Sequence, residues 1–306
     1  MKKMIICLLS LFLLTGCSTT TVTESDKLSI VTTIFPQYDF VREIAGDNVE
    51  ITMLLSPGEE SHSYEPTPQD IKAIQNCDLF IYVGGENDVW VENILDSLDS
   101  IPDTFKLIDC VETVNEESVE GMFERNEEEE EEIDEHVWTS PTNAMMIVEK
   151  ITELLVNKDS INEDTYKNNS DDYISELEEL DNAFREVVDN GVRKTIVFGD
   201  RFPFRYLVDA YGLEYYAAFP GCSSENEPSA ATIAYLINKV KDENIPVVFT
   251  IELSNQNIAN AIAETTNAQV LTFYSCHNVT KDQFNNGVSY LDMMWENVES
   301  LKIALY

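Results

Sequence analysis

The chain contains three histidines, and each falls in a loop where an imidazole can meet a ligand. His62 lies in SPGEESHSYEPTPQD, between a strand and the helix after it. His136 lies in DEHVWTSP, just before a helix, and His277 lies in TFYSCHNVT, directly after the last strand. Open parallel sheets bind their ligands at the carboxyl ends of the strands. All three histidines occupying such loops therefore forms a pattern that no single one would make. Imidazole is the commonest nitrogen ligand of zinc, and three of them with one carboxylate complete a tetrahedral shell at about 2 Å. Catalytic signatures are missing: there is no His-Glu-x-x-His pair and no Gly-x-Ser-x-Gly elbow. GGENDVW is glycine-rich but has neither the P-loop lysine nor the dinucleotide-loop spacing, and it reads as a turn after a buried strand.

Two blocks of alternating strand and helix signals must hold these loops. The first runs through a strand in KLSIVTTIFP ending at Thr33 and a helix carrying Phe40, Val41 and Ile44. A strand over Val49 to Gly58 follows, then a helix with Thr67 as N-cap and Pro68 at its first position. DLFIYVGG is a buried strand, and a helix through Trp90, Ile94 and Leu98 leads to a short strand at Phe105 to Ile108. Beyond Pro141 comes a helix to about Val156. A second helix runs from about Glu163 to Asn190, with Tyr166, Tyr173, Leu177, Leu180, Phe184 and Val187 on one face. That second helix spans roughly 40 Å, and Gly191 ends it. The second block starts with KTIVFGD, a strand ending at Gly199, and closes with an amphipathic helix at the C-terminus. Strands separated by helices imply parallel sheets with right-handed crossovers. The expected fold is α/β: two lobes, each a parallel sheet flanked by helices, joined by one long helix.

Charge and the N-terminal residues narrow the setting. The 306 residues carry 57 acids against 19 basic residues, a formal net charge of −38. That balance excludes nucleic acid as a partner, because phosphate backbones need Lys and Arg to replace counterions; it suits attraction of cations. Lys2, Lys3 and the apolar run Met4 to Leu14 read as a signal peptide too short to span a membrane. In LLTGCSTT, small residues precede Cys17 as in a lipobox, whose cysteine is diacylated and becomes the new N-terminus. Two or more acyl chains make a stable anchor. The chain therefore divides into a signal peptide (1–16), a lipidated tether (17–27), an N-terminal lobe (28–160), a linking helix (161–191) and a C-terminal lobe (192–306), anchored by lipid outside the plasma membrane. The acidic stretch from about Glu112 to Glu135 lacks apolar periodicity and reads as a loop. It is either a solvated insertion or a means of raising the local cation concentration.

With these residues in view, the chain resembles the zinc- and manganese-binding lipoproteins of ABC importers, a family that includes streptococcal surface adhesins. The resemblance covers about Lys27 to Tyr306. PGEESHSYEPTP is similar to the family's first motif and HVWTSPTN to its second, and YGL at Tyr211 to Leu213, EPS at Glu227 to Ser229 and SYLDMM at Ser289 to Met294 also resemble family positions. The resemblance implies a metal site between two lobes joined by a rigid helix, with His62 and His136 as ligands from the N-terminal lobe. It implies a binding protein, not an enzyme, that delivers metal to a membrane permease driven by a cytoplasmic ATPase.

The second lobe departs from the family pattern. Gly199, in VFGDRFPFRY, stands where the family usually offers His or Glu, and a glycine has no side chain to coordinate with. His277 is read as a relocated ligand near the family's last position. The expected set is then His62, His136 and His277, with a carboxylate or water fourth: Asp200 is preferred over Glu60 and Glu65. Three imidazoles favour Zn2+ over Mn2+, which suits oxygen-rich sets; manganese binding, or a secreted hydrolase using the same histidines, are the rival readings. Cys222 and Cys276 both follow strands of the second lobe. They either pair in a disulfide that fixes the His277 loop or stand as two separate thiols, and a Cys276 thiolate is also a soft ligand for metal.

Overall fold

The structure, a computed structural model, describes residues 27–60, 64–85, 88–122, 132–221 and 228–306. His62, Cys17 and Cys222, with the signal peptide, lie outside the described residues. Chain order is β1 (Leu28–Thr32), α1 (Phe35–Ala45), β2 (Val49–Met53), α2 (Pro68–Asn76), β3 (Leu79–Tyr82), α3 (Val89–Ser97) and β4 (Asp103–Lys106), then α4 (Pro141–Lys158) and α5 (Glu163–Asn190). The second half follows as β5 (Thr195–Phe202), α6 (Arg205–Tyr211), β6 (Glu214–Pro220), α7 (Ala230–Asp242), β7 (Val247–Thr250), α8 (Asn257–Thr266), β8 (Gln269–Thr272), α9 (Lys281–Asn285) and α10 (Tyr290–Leu305).

The strands form two four-stranded sheets, ordered β2-β1-β3-β4 and β6-β5-β7-β8, with every pairing parallel. Central strands of such sheets are covered on both faces, so they read as unbroken apolar runs. LFIY in β3 and VVFT in β7 are buried at every position. Local signals set the helix starts. Thr67 accepts the Asp70 amide and Pro68 opens α2; Ser289 does the same for Asp292 at the start of α10. The expected α/β architecture of two parallel sheets and one long connecting helix is the observed one.

The 28 residues of α5 rise about 42 Å at 1.5 Å per residue. Its buried stripe, Tyr166, Ser170, Tyr173, Leu177, Leu180, Phe184 and Val187, repeats in steps of four and three, the face of one helix. This stripe packs on α1, α4 and α10. The largest apolar core runs unbroken through Ile30 and Leu79 of the first sheet, the α5 stripe, and Ile196 and Phe198 of the second. The lobes thus share a core across the linking helix, and this makes their relative position stiff.

One buried charge also crosses between them. Asp39 of α1 has no exposed surface, pairs with Arg42 at 2.6 Å and accepts the Tyr290 amide of α10 at 2.7 Å. Burial pushes its carboxyl up from 3.8 to about 7, with Arg42 and the Tyr290 amide opposing and Glu43 and Asp292 adding to the rise. A carboxyl raised in the folded state binds a proton that the unfolded chain has lost. Its stabilising effect is therefore full below about pH 4 and disappears as the pH rises through about 7. The difference amounts to on the order of 4 kcal/mol. Urea unfolding of wild type and Asp39→Asn at pH 5 and pH 8 checks this: the advantage of wild type over the variant should shrink as the pH rises. A constant difference would remove the idea.

Candidate metal centre

The segment leading into α4 presents His136 by local bonds. Its backbone amide donates to Asp134 Oδ1 at 2.8 Å, and its ring Nδ1 lies 2.9 Å from the same oxygen. Asp134 is itself held by its amide to the Val114 carbonyl and by the Tyr206 hydroxyl, which donates to its carbonyl at 2.6 Å. The ring is buried, at 1% exposure. Burial disfavours its charged form, but the Asp134 carboxylate outweighs this and the pKa lies above 6.5. With Nδ1–H directed at Asp134, the lone pair sits on Nε2. That nitrogen is buried and has no hydrogen-bond partner among the described residues. An unpaired buried nitrogen is costly. A carboxylate on one ring nitrogen and an open lone pair on the other is the arrangement of a metal-binding histidine.

The loop after β8 brings the second imidazole to it. The His277 ring centroid lies 4.9 Å from that of His136 and 4.8 Å from that of Trp138. Trp138 is braced on both sides: its indole donates to the Ser275 carbonyl at 2.7 Å, and the Tyr290 hydroxyl donates to its own carbonyl. Glu252, at the end of β7, ties down the loop. Its carboxylate accepts the Ser275 amide at 2.7 Å, the Ser275 hydroxyl at 2.6 Å and the His277 amide at 2.9 Å. Burial raises the Glu252 pKa, and the hydrogen bonds from Ser275 and His277 oppose the rise without cancelling it. Gly221 closes the wall at the end of β6. A Cβ there would meet His136 Cε1 at 2.9 Å, so only a glycine lets that backbone approach the ring.

One cavity is lined by His136, His277, Glu59, Glu60, Glu252 and Gly221, among others. The structure therefore unites two of the three histidines. Asp200 lies in β5, where the register with β6 shifts between Phe198 and Arg201. It lines a neighbouring cavity with Glu60 and Glu252. Its Oδ2 accepts from the Thr250 hydroxyl at 2.7 Å and the Ile251 amide at 3.4 Å, and its Oδ1 from the Arg201 amide at 2.9 Å. Glu60 is 3.2 Å from Arg201, and Glu65 is exposed. Cys77, Cys110 and Cys276 are free among the described residues; Cys276 is buried, with a backbone φ of +61°, and its expected partner Cys222 lies outside them. Among the described residues no group of three or more His, Cys, Asp or Glu side chains could hold an ion, and His62 is not one of them.

The last two acids of the acidic stretch do not sit on a solvated surface. Asp134 and Glu135 are buried, at 2% and 5% exposure, and an Asn115–Ile133 bridge closes the neck of the insertion. Sequence reasoning passed over Asp134 because it is one more acid in a run of acids. It also passed over Glu252, which the strand-end rule applied to the histidines would have found.

Known proteins share this arrangement of sheets and helices. The pattern of zinc-uptake complex component A, the periplasmic ZnuA family, matches residues 30–304. The chain belongs to this family. It is 32% identical over 286 residues to the high-affinity zinc uptake system protein ZnuA of Bacillus subtilis, a match covering 92% of this chain and 89% of that one. It is 33% identical to the zinc-binding lipoprotein AdcA of Streptococcus pneumoniae, but spans only 61% of that relative's length. The crystal structure of the Zn(II)-bound ZnuA-like domain of Streptococcus pneumoniae AdcA superposes with a TM-score of 0.76 at 30% identity, over 91% of this chain and 99% of that domain. Membership in the ZnuA family makes this chain a metal-binding component of an uptake system and not an enzyme.

Proposed function

We propose that this chain captures Zn2+ outside the plasma membrane, held there by lipid on Cys17, and hands it to the permease of an ABC importer powered by a cytoplasmic ATPase. The ligands are His62, His136 and His277, with a fourth oxygen from Asp200. The observation that carries this reading is the buried His136 Nε2, which has no hydrogen-bond partner among the described residues and whose ring is oriented by Asp134. The second imidazole, 4.9 Å away centroid to centroid, supports it. Coordination by Asp200 requires its carboxylate to turn from the neighbouring cavity into that of the histidines, exchanging its bonds to Thr250 and Ile251 for one to the ion. Imidazoles favour zinc, and manganese, the harder ion, prefers oxygen donors. The Bacillus subtilis and Streptococcus pneumoniae relatives are named for zinc, which agrees.

Competition titration of the demetallated protein, with elemental analysis of the protein as purified, tests the metal. Zn2+ should bind more tightly than Mn2+, and the reverse order would overturn the assignment. In the same titration, Asp200→Asn should weaken zinc binding; unchanged affinity would transfer the fourth position to another donor.

A further inference from the structure

We propose that Asn278 is a positioning residue that controls metal release by tying the two walls of the site together. The proposal rests on His277 being a metal ligand. Ser56-Pro57-Gly58-Glu59 forms a turn closed by the Glu59 amide on the Ser56 carbonyl at 3.1 Å. Pro57 stands second and Gly58, with φ of +86°, third, as a type II turn requires. This turn belongs to the first lobe and leads to Glu59 and Glu60, which line the cavity with His136 and His277.

The residue that grips the turn is the one directly after His277, from the second lobe. Asn278 is 1% exposed. Its side-chain nitrogen donates to the Ser56 carbonyl at 2.8 Å and to the Glu59 carbonyl at 2.9 Å. Its oxygen accepts the Val279 amide at 2.8 Å, and the Gly58 amide donates to the Val279 carbonyl at 2.7 Å. An amide NH2 has two hydrogens, and two carbonyls take both. No other neutral side chain of this length offers two donors and one acceptor in that geometry. The shared core across α5 holds the lobes stiffly. An ion leaving the cavity therefore depends on parting these two loops, and Asn278 supplies two buried side-chain bonds between them, beside the Arg201–Glu60 pair that also joins the first lobe to the second.

Full-length Asn278→Asp and Asn278→Ala, loaded with Zn2+, test this by the rate at which a chelator strips the ion and by the unfolding midpoint of the metal-free form. Asp places a carboxylate against two carbonyls, whereas Ala merely removes the donors. Release should quicken in the order wild type, Ala, Asp. The Ala step should be about tenfold, the factor that loss of a buried hydrogen bond carries, and the metal-free midpoint should fall as well, because the same bonds hold the turn in the absence of metal. Unchanged release in both variants overturns the proposal, as does equally fast release from Ile262→Ala, which loosens the buried packing of α8 without touching the turn. If Asp fails to fold, the Ala variant decides alone. His277→Ala separates the two levels: if it keeps wild-type zinc affinity, the ligand assignment fails, whatever Asn278 does.

Discussion

Replacing His136 with alanine should lower zinc affinity by more than about a hundredfold, since even the partners behind a metal ligand are worth about 10- to 100-fold. The reason lies in how the ring is held. Nδ1 is committed to Asp134, so Nε2 is the only nitrogen that can reach an ion, and it is already desolvated. The folding cost of burying that lone pair is present with or without metal, and binding recovers it. Calorimetry should show the loss directly. Thermal unfolding gives a second view, because a ligand that binds only the folded state stabilises it with the logarithm of its affinity. The zinc-dependent rise should shrink in His136→Ala by at least the amount that about hundredfold weaker binding implies. In Asp134→Asn it should shrink by the amount that about 10- to 100-fold weaker binding implies. That variant keeps an acceptor for Nδ1 but removes the charge that makes the ring a better donor to metal. A full zinc-dependent rise in His136→Ala would place the ion elsewhere.

The parts of this molecule that could be read from sequence are those governed by local rules. LFIY and VVFT are short apolar runs bounded by turns and helices, and they are the buried strands β3 and β7. The apolar spacing from Tyr166 to Val187 marks one helical face, and that face is the buried stripe of α5. The histidine loops are marked by residue type and by their place after strands. What escaped depends on contacts far apart in the chain. The strand expected to stop at Gly199 runs on to Phe202, because β6 resumes pairing with it at Arg201 and Phe202 after the shift in register. Asp134 is distinguished from its acidic neighbours by the His136 amide and ring at its carboxylate and by its backbone bonds to the Val114 carbonyl and the Tyr206 hydroxyl, the latter 72 residues away. Asn278 is an ordinary polar loop residue until the turn at Ser56, 222 residues earlier, is packed against it. Residue type identifies a donor atom; only tertiary packing supplies the partner that orients it.

Gly199→His, which places a side chain at the position where the resemblance leads one to expect a ligand, should destabilise the second lobe instead of tightening zinc binding. A Cβ at 199 would lie 2.5 Å from the Ala259 Cα, 2.6 Å from its amide nitrogen and 2.8 Å from its Cβ. The nearest of those are backbone atoms of α8, not the end of a flexible chain, so relief requires moving the helix off β5. Ala259 and Ile262 of α8 are fully buried against Val197 and Val248, and lifting them exposes that core. Overpacking of this kind costs about 1–3 kcal/mol where side chains can adjust, and more where they cannot. The variant should therefore lose more than about 3 kcal/mol in urea unfolding. Gly199→Ala, which adds only the offending atom, should lose most of the same amount. If Gly199→His folds normally and gains zinc affinity, the close packing of α8 on β5 is wrong. The expected result means that the glycine is fixed by the approach of α8 and that the second lobe could not keep a ligand there. The histidine after β8 then becomes intelligible as the imidazole this lobe can offer: Glu252 holds its backbone, and its ring stands beside His136.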